Sequence, residues 1–83
     1  MKHDNKAILQ HLKEIEYIRV KGAIRQWLLG DIIGWNVSAT SVMRKPYTIE
    51  RLKETIEEEH LPLEVVDTPY YLNSFQVYLK EES

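Results

Sequence analysis

The sequence contains no cysteine and only three prolines and three glycines among its 83 residues. The absence of cysteine excludes a disulfide-stapled mini-protein, a zinc finger, an iron–sulfur site and a thiol nucleophile. A chain of this length has room for one small hydrophobic core, so two domains are also excluded. We therefore expect a single domain over residues 1–83, with an ordered core over residues 5–80.

Long hydrophobic runs are also lacking. The longest apolar stretch, Trp27 to Trp35, contains Asp31 and is far shorter than the roughly 20 residues of a membrane-spanning helix. Polar residues follow the first apolar ones, Ala7 to Leu9, so no signal-peptide core forms. The expected protein is cytoplasmic and has no membrane partner.

Signatures of catalysis and of metal binding are missing as well. The three glycines do not have the spacing of a phosphate-binding loop. The histidines His3, His11 and His60 are scattered, and no two of them are four residues apart. Neither Ser38 nor Ser41 has a neighbouring histidine to activate it. We expect a protein that is not an enzyme and holds neither a metal ion nor a cofactor.

What the sequence does have is a marked division of charge. Although the net charge is only −2, residues 1–53 carry ten basic and five acidic side chains, for a charge of +5. Residues 54–83 carry one basic and eight acidic side chains, for a charge of −7. A fold that separates these two parts would present one basic surface. The alternative is a set of surface charges with no functional arrangement.

Hydrophobic spacing predicts a series of helices. The first spans residues 5–16 and begins at a cap formed by Asp4 or Asn5. The second spans residues 23–33 and ends at Gly34, because glycine adopts the left-handed conformation that terminates helices. Its predicted buried stripe is formed by Ile24, Trp27, Leu28 and Ile32.

Two further helices follow along the chain. Ser38 is placed to cap a third helix over residues 38–45, which Pro46 ends because proline disfavours helix at the residue before it. Thr48 then caps a fourth helix that ends near Glu59. On the third helix, helical spacing groups the polar side chains Thr40, Ser41 and Arg44 on one face.

Three segments have the β-branched and aromatic residues of strands. Residues 17–21 alternate apolar and polar side chains, which predicts a short strand or extended link. The segments Leu63 to Val66 and Phe75 to Leu79 are separated by turn-forming residues. They predict an antiparallel hairpin that packs onto the helices.

The order of these elements, and one motif in particular, resemble a known family. The motif is Leu28-Leu29-Gly30 through Gly34, followed by Ser38 to Lys45 with its hydroxyls and its arginine. This pattern resembles the winged helix-turn-helix domains of small bacterial and phage DNA-binding proteins. The resemblance implies an α+β fold in which three to four helices pack on a C-terminal two-stranded antiparallel β-hairpin. The alternative is a small α+β domain that shares only the order of elements.

The resemblance also implies a function. The helix at residues 38–45 would enter the major groove of double-stranded DNA, where arginine and hydroxyl side chains contact base edges. The protein would be a small transcriptional regulator or accessory factor, alone or as a homodimer. The implied DNA-binding residues are Ser38, Thr40, Ser41, Arg44 and Lys45, with Arg19, Lys21, Arg25, Arg51 and Lys53 on flanking phosphates. The alternative for these polar residues is a solvated surface.

A second function, from a different class, is a protein-interaction module such as an adaptor or a small phage-type inhibitor of a host protein. The predicted wing carries Glu64 and Asp67 but no basic residue over residues 64–79, which argues against DNA contact there. The acidic C-terminal part would instead suit a basic protein partner. Tyrosines are common in protein interfaces, and the predicted contact residues are Tyr70, Tyr71 and Tyr78. The alternative is that these tyrosines cover the core.

Overall fold

The computed structural model describes residues 5–40 and 43–80, and this part of the chain forms two helices and four strands. The first helix, α1, spans Asn5–Glu14, and the second, α2, spans Lys45–Glu59. The strands are β1 (Ile18–Arg25), β2 (Ile32–Ala39), β3 (Leu63–Asp67) and β4 (Ser74–Leu79). The chain order is therefore a helix followed by two strands, repeated once.

The four strands form one antiparallel sheet in the order β1-β2-β4-β3. β1 and β2 form one hairpin and β3 and β4 form the other, and the two hairpins join at the centre of the sheet, where β2 pairs with β4. Gly34 lies opposite Tyr78, and Ser38 lies opposite Ser74. The turn between β1 and β2 and the loop between β3 and β4 therefore lie at opposite ends of the sheet.

Both helices pack against the same face of the sheet. The buried core combines Leu12 of α1 and Leu52 of α2 with alternate residues of the strands. Because successive side chains of a strand point to opposite faces, the residues between the buried ones point away from the helices. The fully buried side chains of the sheet are Trp35, Val37, Leu63, Phe75 and Val77.

Both edges of the sheet have features that hinder pairing with another strand. The register of β1 shifts between Val20 and Gly22, and the exposed, charged Lys21 lies at the shift. β3 is only five residues long and lies between Pro62 and Pro69, which have no backbone N–H group to donate. Of the two described edges, that of β3 is therefore short and that of β1 is interrupted by the register shift.

The winged-helix prediction is wrong about the fold. In place of three to four helices on a C-terminal two-stranded hairpin, the described part of the chain has two helices and a four-stranded antiparallel sheet. The chain does combine helices with an antiparallel sheet. However, the end of β1 and both ends of β2 come from residues that were expected to be helical.

The predicted helix at residues 23–33 is instead the end of β1, a turn and the start of β2. The N–H of Gly30 donates to the carbonyl oxygen of Gln26, and the N–H of Gln26 donates to that of Asp31, both at 2.7 Å. Gly30 has a φ of +69°, which glycine adopts without a Cβ clash. The glycine therefore serves the turn.

The buried stripe predicted for that helix is divided. Trp27 and Leu28 are exposed at the tip of the turn, whereas Ile32 packs against the core. Gly34, predicted to end the helix, lies within β2. A Cβ atom at this position would lie 2.5 Å from the carbonyl oxygen of Val77. The glycine is required here because two backbones approach closely.

The predicted third helix is not present in the described part of residues 38–45. Ser38 belongs to β2, α2 begins at Lys45, and Ser41 lies outside the described residues. Pro46 does not end a helix but lies in the first turn of α2. Proline is favoured there because the N–H group it lacks would have no partner within the helix.

The fourth predicted helix is confirmed, with an earlier start. α2 ends at Glu59 as predicted, and Leu52 is fully buried. Thr48, the predicted cap, instead lies inside the helix, and its hydroxyl donates to the carbonyl oxygen of Arg44 at 3.1 Å. The first helix and the C-terminal hairpin are also confirmed, whereas the predicted cap at Asp4 lies outside the described residues.

Candidate functional site

One face of the sheet is not covered by any described helix, and we call it the open face. It is formed by the residues that alternate with the buried ones, and the register aligns them in rows across the strands. The rows are Arg19–Ser38–Ser74, Gly22–Asn36–Gln76–Val66 and Ile24–Gly34–Tyr78–Glu64.

Side-chain hydrogen bonds cross the two central strands on the open face. The hydroxyl of Tyr78 donates to Oε1 of Gln76 at 2.6 Å. Nε2 of Gln76 in turn donates to Oδ1 of Asn36 at 3.1 Å, and these two residues lie directly opposite each other in the register. Because its oxygen is engaged, the exposed Asn36 side chain presents its N–H₂ group to solvent.

Lys21 brings a positive charge onto this face. It lies at the register shift in β1, and its Nζ donates to Oγ of Ser74, two strands away, at 3.3 Å. A shallow groove of about 280 Å³ runs beside it. The groove is lined by a cation, two amides, three hydroxyl-bearing side chains and a second aromatic ring, from Lys21, Asn36, Gln76, Thr68, Ser74, Tyr71 and Phe75.

The loop at residues 68–73, which we call the tyrosine loop, is held by a buried lysine. Nζ of Lys45 lies 2.6 Å from Oδ1 of Asp67. An ammonium group is buried stably only when its donors are used. Nζ also donates, at 2.7–3.2 Å, to the carbonyl oxygens of Thr68, Tyr71 and Ser74. These bonds fix the backbone of the tyrosine loop, which is therefore preformed, although its Tyr70 and Leu72 are 93% and 95% exposed.

The charges of the two layers differ in sign. α2 carries five glutamates and three basic side chains, and one of the basic ones, Lys45, is buried. On the open face, Arg19 and Lys21 stand against one acid, Glu64, on the far edge strand β3. A polyanion is therefore attracted to the part of the open face near β1 and repelled by α2.

The structure separates the residues predicted to form a recognition helix. Ser38 lies in β2 and is 5% exposed. Oγ1 of Thr40 is buried with no hydrogen-bond partner among the described residues. Arg44 is exposed and precedes α2, whereas the charge of Lys45 is used by the tyrosine loop and cannot serve a phosphate. Ser41 lies outside the described ranges.

The basic residues predicted to contact phosphates lie on different surfaces. Arg19 and Lys21 belong to β1, and both are exposed on the open face. Arg25 is exposed at the end of the same strand. Arg51 and Lys53 are exposed on α2. The predicted set does not form one surface, and the open face retains only its first two members.

The tyrosines predicted to contact a protein also fall into two places. Tyr70 and Tyr71 lie together on the exposed tyrosine loop, whereas Tyr78 is partly buried in β4. The acidic C-terminal part is divided as well. Asp67 is bonded to the lysine that holds the tyrosine loop, and the run at residues 57–59 ends α2.

Asn36 and Gln76 are site residues that the sequence reasoning missed. Both belong to stretches, residues 35–39 and 75–79, in which apolar and polar side chains alternate. Such alternation marks a half-buried strand whose polar positions form the solvent face. The first stretch follows the predicted helix at residues 23–33 and overlaps the one at residues 38–45, which hides the signal.

The described residues contain no group of three or more His, Asp or Glu side chains that could hold a metal ion. Within the same ranges, no helix is long and apolar enough to cross a membrane. No protein-family model matches the chain, and no curated protein or solved structure is significantly similar to it. The candidate site therefore rests on the geometry of the open face and of the tyrosine loop.

Proposed function

We propose that the chain is a small DNA-binding protein, a transcriptional regulator or accessory factor, that contacts double-stranded DNA with its open face. One observation carries this proposal: Arg19 and Lys21 lie beside the linked amides of Asn36 and Gln76 on a face that no described helix covers. Cationic side chains bind phosphates, and Asn and Gln amides both donate to and accept from base edges. Strands of a sheet are one of the elements that proteins place in DNA grooves.

Tyr78 is the aromatic side chain in the rows of the open face, and its engagement there favours a duplex over a single strand. Single-strand binding relies on aromatic rings that are free to stack on bases. A Cβ on Gly34 would lie 3.1 Å from Cδ1 of Tyr78, so this ring covers the glycine, and its hydroxyl is bonded to Gln76. On the β1 side of the open face, the exposed charged and amide groups are those of Arg19, Lys21 and Asn36, which suit phosphates and base edges.

The number of cations sets the expected salt dependence. Each phosphate contact contributes about −0.9 to the slope of log affinity against log salt. Contacts by Arg19 and Lys21 therefore give a slope of about −2, with a dissociation constant on mixed sequence of roughly 1–100 μM.

Fluorescence anisotropy of a labelled mixed-sequence duplex, titrated with the protein at several salt concentrations, tests this proposal. We expect the double substitution Arg19→Ala/Lys21→Ala to remove most of the affinity and to bring the salt slope close to zero. The matched control is Arg51→Ala/Lys53→Ala, which removes the same charge from exposed positions on α2. It should leave the affinity and the slope unchanged.

Three results would contradict the proposal. Equal losses in the two double variants would show that net charge, and not the open face, attracts DNA. Tighter binding to the single strand of the same sequence would exclude the duplex as the preferred ligand. Absence of binding by the unsubstituted protein at low salt would exclude DNA.

The tyrosine loop favours a second candidate function, a protein-interaction module. Tyr70 and Leu72 are almost fully exposed on a loop whose backbone is held by Lys45. Large apolar side chains on a preformed loop are typical of binding anchors, because little conformational entropy is lost when they are buried. An adaptor or an inhibitor of another protein would use this loop.

Affinity purification with and without nuclease separates the two functions. A stoichiometric protein partner that survives nuclease, and that is lost from Tyr70→Ser/Leu72→Ser but not from Arg19→Ala/Lys21→Ala, supports the interaction module. Loss of every partner on nuclease treatment contradicts it.

A further inference from the structure

The hydrogen bonds of the open face give its two central amides a fixed direction. The hydroxyl of Tyr78 lies 2.6 Å from Oε1 of Gln76, which is the length of an O–H···O bond and shorter than an ordinary N–H···O bond. The Gln76 atom that faces Tyr78 is therefore its oxygen, which leaves Nε2 to face Asn36 at 3.1 Å. Because an amide nitrogen donates and does not accept, the Asn36 atom that receives this bond is Oδ1.

This direction decides which group Asn36 offers to a ligand. Its Oδ1 faces Gln76 on β4, so its Nδ2, on the other side of the amide, is directed towards β1. The Asn36 side chain is exposed. It therefore offers hydrogen-bond donors to a ligand, while its acceptor is turned to the neighbouring strand.

The space beside this nitrogen is open. On β1, the residue opposite Asn36 is Gly22, and nothing lies within 4 Å of the position that a Cβ would take there. Along β2, the next residues of the open face are Gly34, which has no side chain, and Ser38, which is 5% exposed. The flat edge of a base can therefore approach Nδ2 without displacing these neighbours.

A donor without an acceptor distinguishes between the purines. In the major groove, guanine presents two acceptors, O6 and N7, whereas adenine presents the acceptor N7 beside the N6 amino donor. Asparagine usually contacts adenine with its oxygen and its nitrogen together, and the oxygen of Asn36 is already engaged. Lys21 lines the same groove and also has no acceptor. The adenine amino group would find no acceptor on either side chain.

We propose that Asn36 reads guanine in the major groove, and that the Tyr78 hydroxyl sets this preference by fixing the direction of the two amides. The inference rests on the proposed function, DNA binding by the open face, and adds a base preference to it. Tyr78 is a positioning residue, because it acts on Asn36 through Gln76. A donor contact of this kind gives a preference of about fivefold, at the lower end of the range for base contacts.

Modified bases test the preference in the unsubstituted protein. Fluorescence anisotropy is measured on one guanine-rich duplex and on two versions of it, in which 7-deazaguanine or inosine replaces guanine. The first base lacks the N7 acceptor of the major groove, and the second lacks the amino group of the minor groove. We expect 7-deazaguanine to weaken binding about threefold to fivefold and inosine to change it by less than about twofold.

Tyr78→Phe tests the role of the hydroxyl. Without it, Gln76 can turn its amide, and Asn36 can present its oxygen. The ratio of affinities for a guanine-rich and an adenine-rich duplex should therefore fall at least about threefold. The salt slope should not change, because the cations are untouched. The matched control is Tyr70→Phe, which removes an exposed hydroxyl from the tyrosine loop and should leave the ratio as it is.

Gln76→Glu tests the direction of the hydrogen bonds. A carboxylate accepts from both Tyr78 and Asn36, so the Asn36 amide should turn and present Oδ1 to the ligand. The added negative charge lowers the affinity for every duplex, but the ratio should move towards adenine by at least about fivefold. Because each variant meets the same two duplexes, differences in duplex shape cancel. The substituted positions are at least partly exposed, and circular dichroism should show that each variant folds.

The results that would overturn this inference are separable from failure of the proposed function. Equal binding of the guanine and 7-deazaguanine duplexes, with a salt slope of about −2, overturns the base preference and leaves DNA binding by the open face in place. Tighter binding of the inosine duplex would place the contact in the minor groove and also overturn it. An unchanged ratio in Tyr78→Phe or in Gln76→Glu would remove the role of the fixed amides. Absence of binding to every duplex overturns the proposed function and this inference together.

Discussion

At the scale of single residues, Lys45 joins the start of α2 to the tyrosine loop. Its Nζ has four oxygen partners within 3.2 Å. A cation near the N-terminus of a helix is electrostatically unfavourable, so the loop, and not the helix, explains its position. The sequence around Lys45 does not reveal this role, because all four partners lie far along the chain, beyond the end of α2.

Lys45→Met should lower the free energy of unfolding by about 2 kcal/mol, because three carbonyl groups and the carboxylate of Asp67 lose their partner. The cost is below that of breaking a fully buried ion pair, since Asp67 is more than half exposed. Urea denaturation measures the change. Lys53→Met, at an exposed lysine of the same helix, should alter stability by less than about 0.5 kcal/mol, and equal effects of the two substitutions would contradict the role of Lys45.

Two glycines of the sheet should respond to alanine in opposite ways. Gly34→Ala should destabilise the fold by about 1–3 kcal/mol, because the new Cβ would lie 2.5 Å from the carbonyl oxygen of Val77. Nothing lies within 4 Å of a Cβ at Gly22, so Gly22→Ala should be neutral or stabilise by up to about 1 kcal/mol. Thermal unfolding distinguishes the two, and similar melting temperatures would show that β2 and β4 are not closely apposed.

At the scale of the elements, segments that keep one hydrophobic period are predictable from the sequence. α1 has helical spacing, the hairpin of β3 and β4 has the residues of strands, and both are confirmed. Residues 23–33 contain apolar side chains that also fit a helix. Hydrophobic spacing cannot show that Trp27 and Leu28 are exposed on a turn, because it assumes that large apolar side chains are buried.

Part of the candidate site can be predicted from the sequence, and part cannot. Alternation over residues 35–39 and 75–79 places Asn36 and Gln76 on the solvent faces of their strands. Their hydrogen bond depends on the pairing of β2 with β4, which joins two separate hairpins and has no local signal. Pro46 is compatible with a helix end or a helix start, and the sequence alone does not show that α2 begins at Lys45.

The start of α2 offers an element-scale prediction. Arg44 occupies the N-cap with φ −69° and ψ 152°, and no side chain caps the helix. Because capping residues have this extended conformation, Arg44→Asp should raise the free energy of unfolding by about 1 kcal/mol. Arg44→Ala removes the same arginine without supplying a cap. Equal stability of the two variants in urea would contradict the prediction.

At the scale of the whole molecule, the described fold presents three surfaces of different chemistry. The open face carries cations and amides, and the tyrosine loop carries exposed tyrosines. The turn between β1 and β2, at the opposite end of the sheet from that loop, carries the exposed Trp27 and Leu28. The two edges are hindered by a register shift at Lys21 and by Pro62 and Pro69. Contacts with other molecules should therefore use the faces and loops, and substitutions should remove each contact separately.

The division of charge along the sequence is only partly preserved in the folded molecule. The basic side chains of the segment 1–53 lie on both the sheet and the helices, since Arg51 and Lys53 are on α2 among its glutamates. Arg19 and Lys21 remain on the open face. The sequence therefore predicts that a basic surface exists but not where it lies, because its position depends on how the strands pair.

The most direct test of DNA binding by the open face is an NMR titration of the isotope-labelled protein with an unlabelled duplex. The side-chain N–H₂ signals of Asn36 and Gln76 report on the open face, and that of Gln10, bonded to Glu14 on α1, reports on the helix side. We predict that the duplex shifts the first two signals and leaves the signal of Gln10 in place. Shifts confined to α1 and α2, or to the tyrosine loop, would contradict the account.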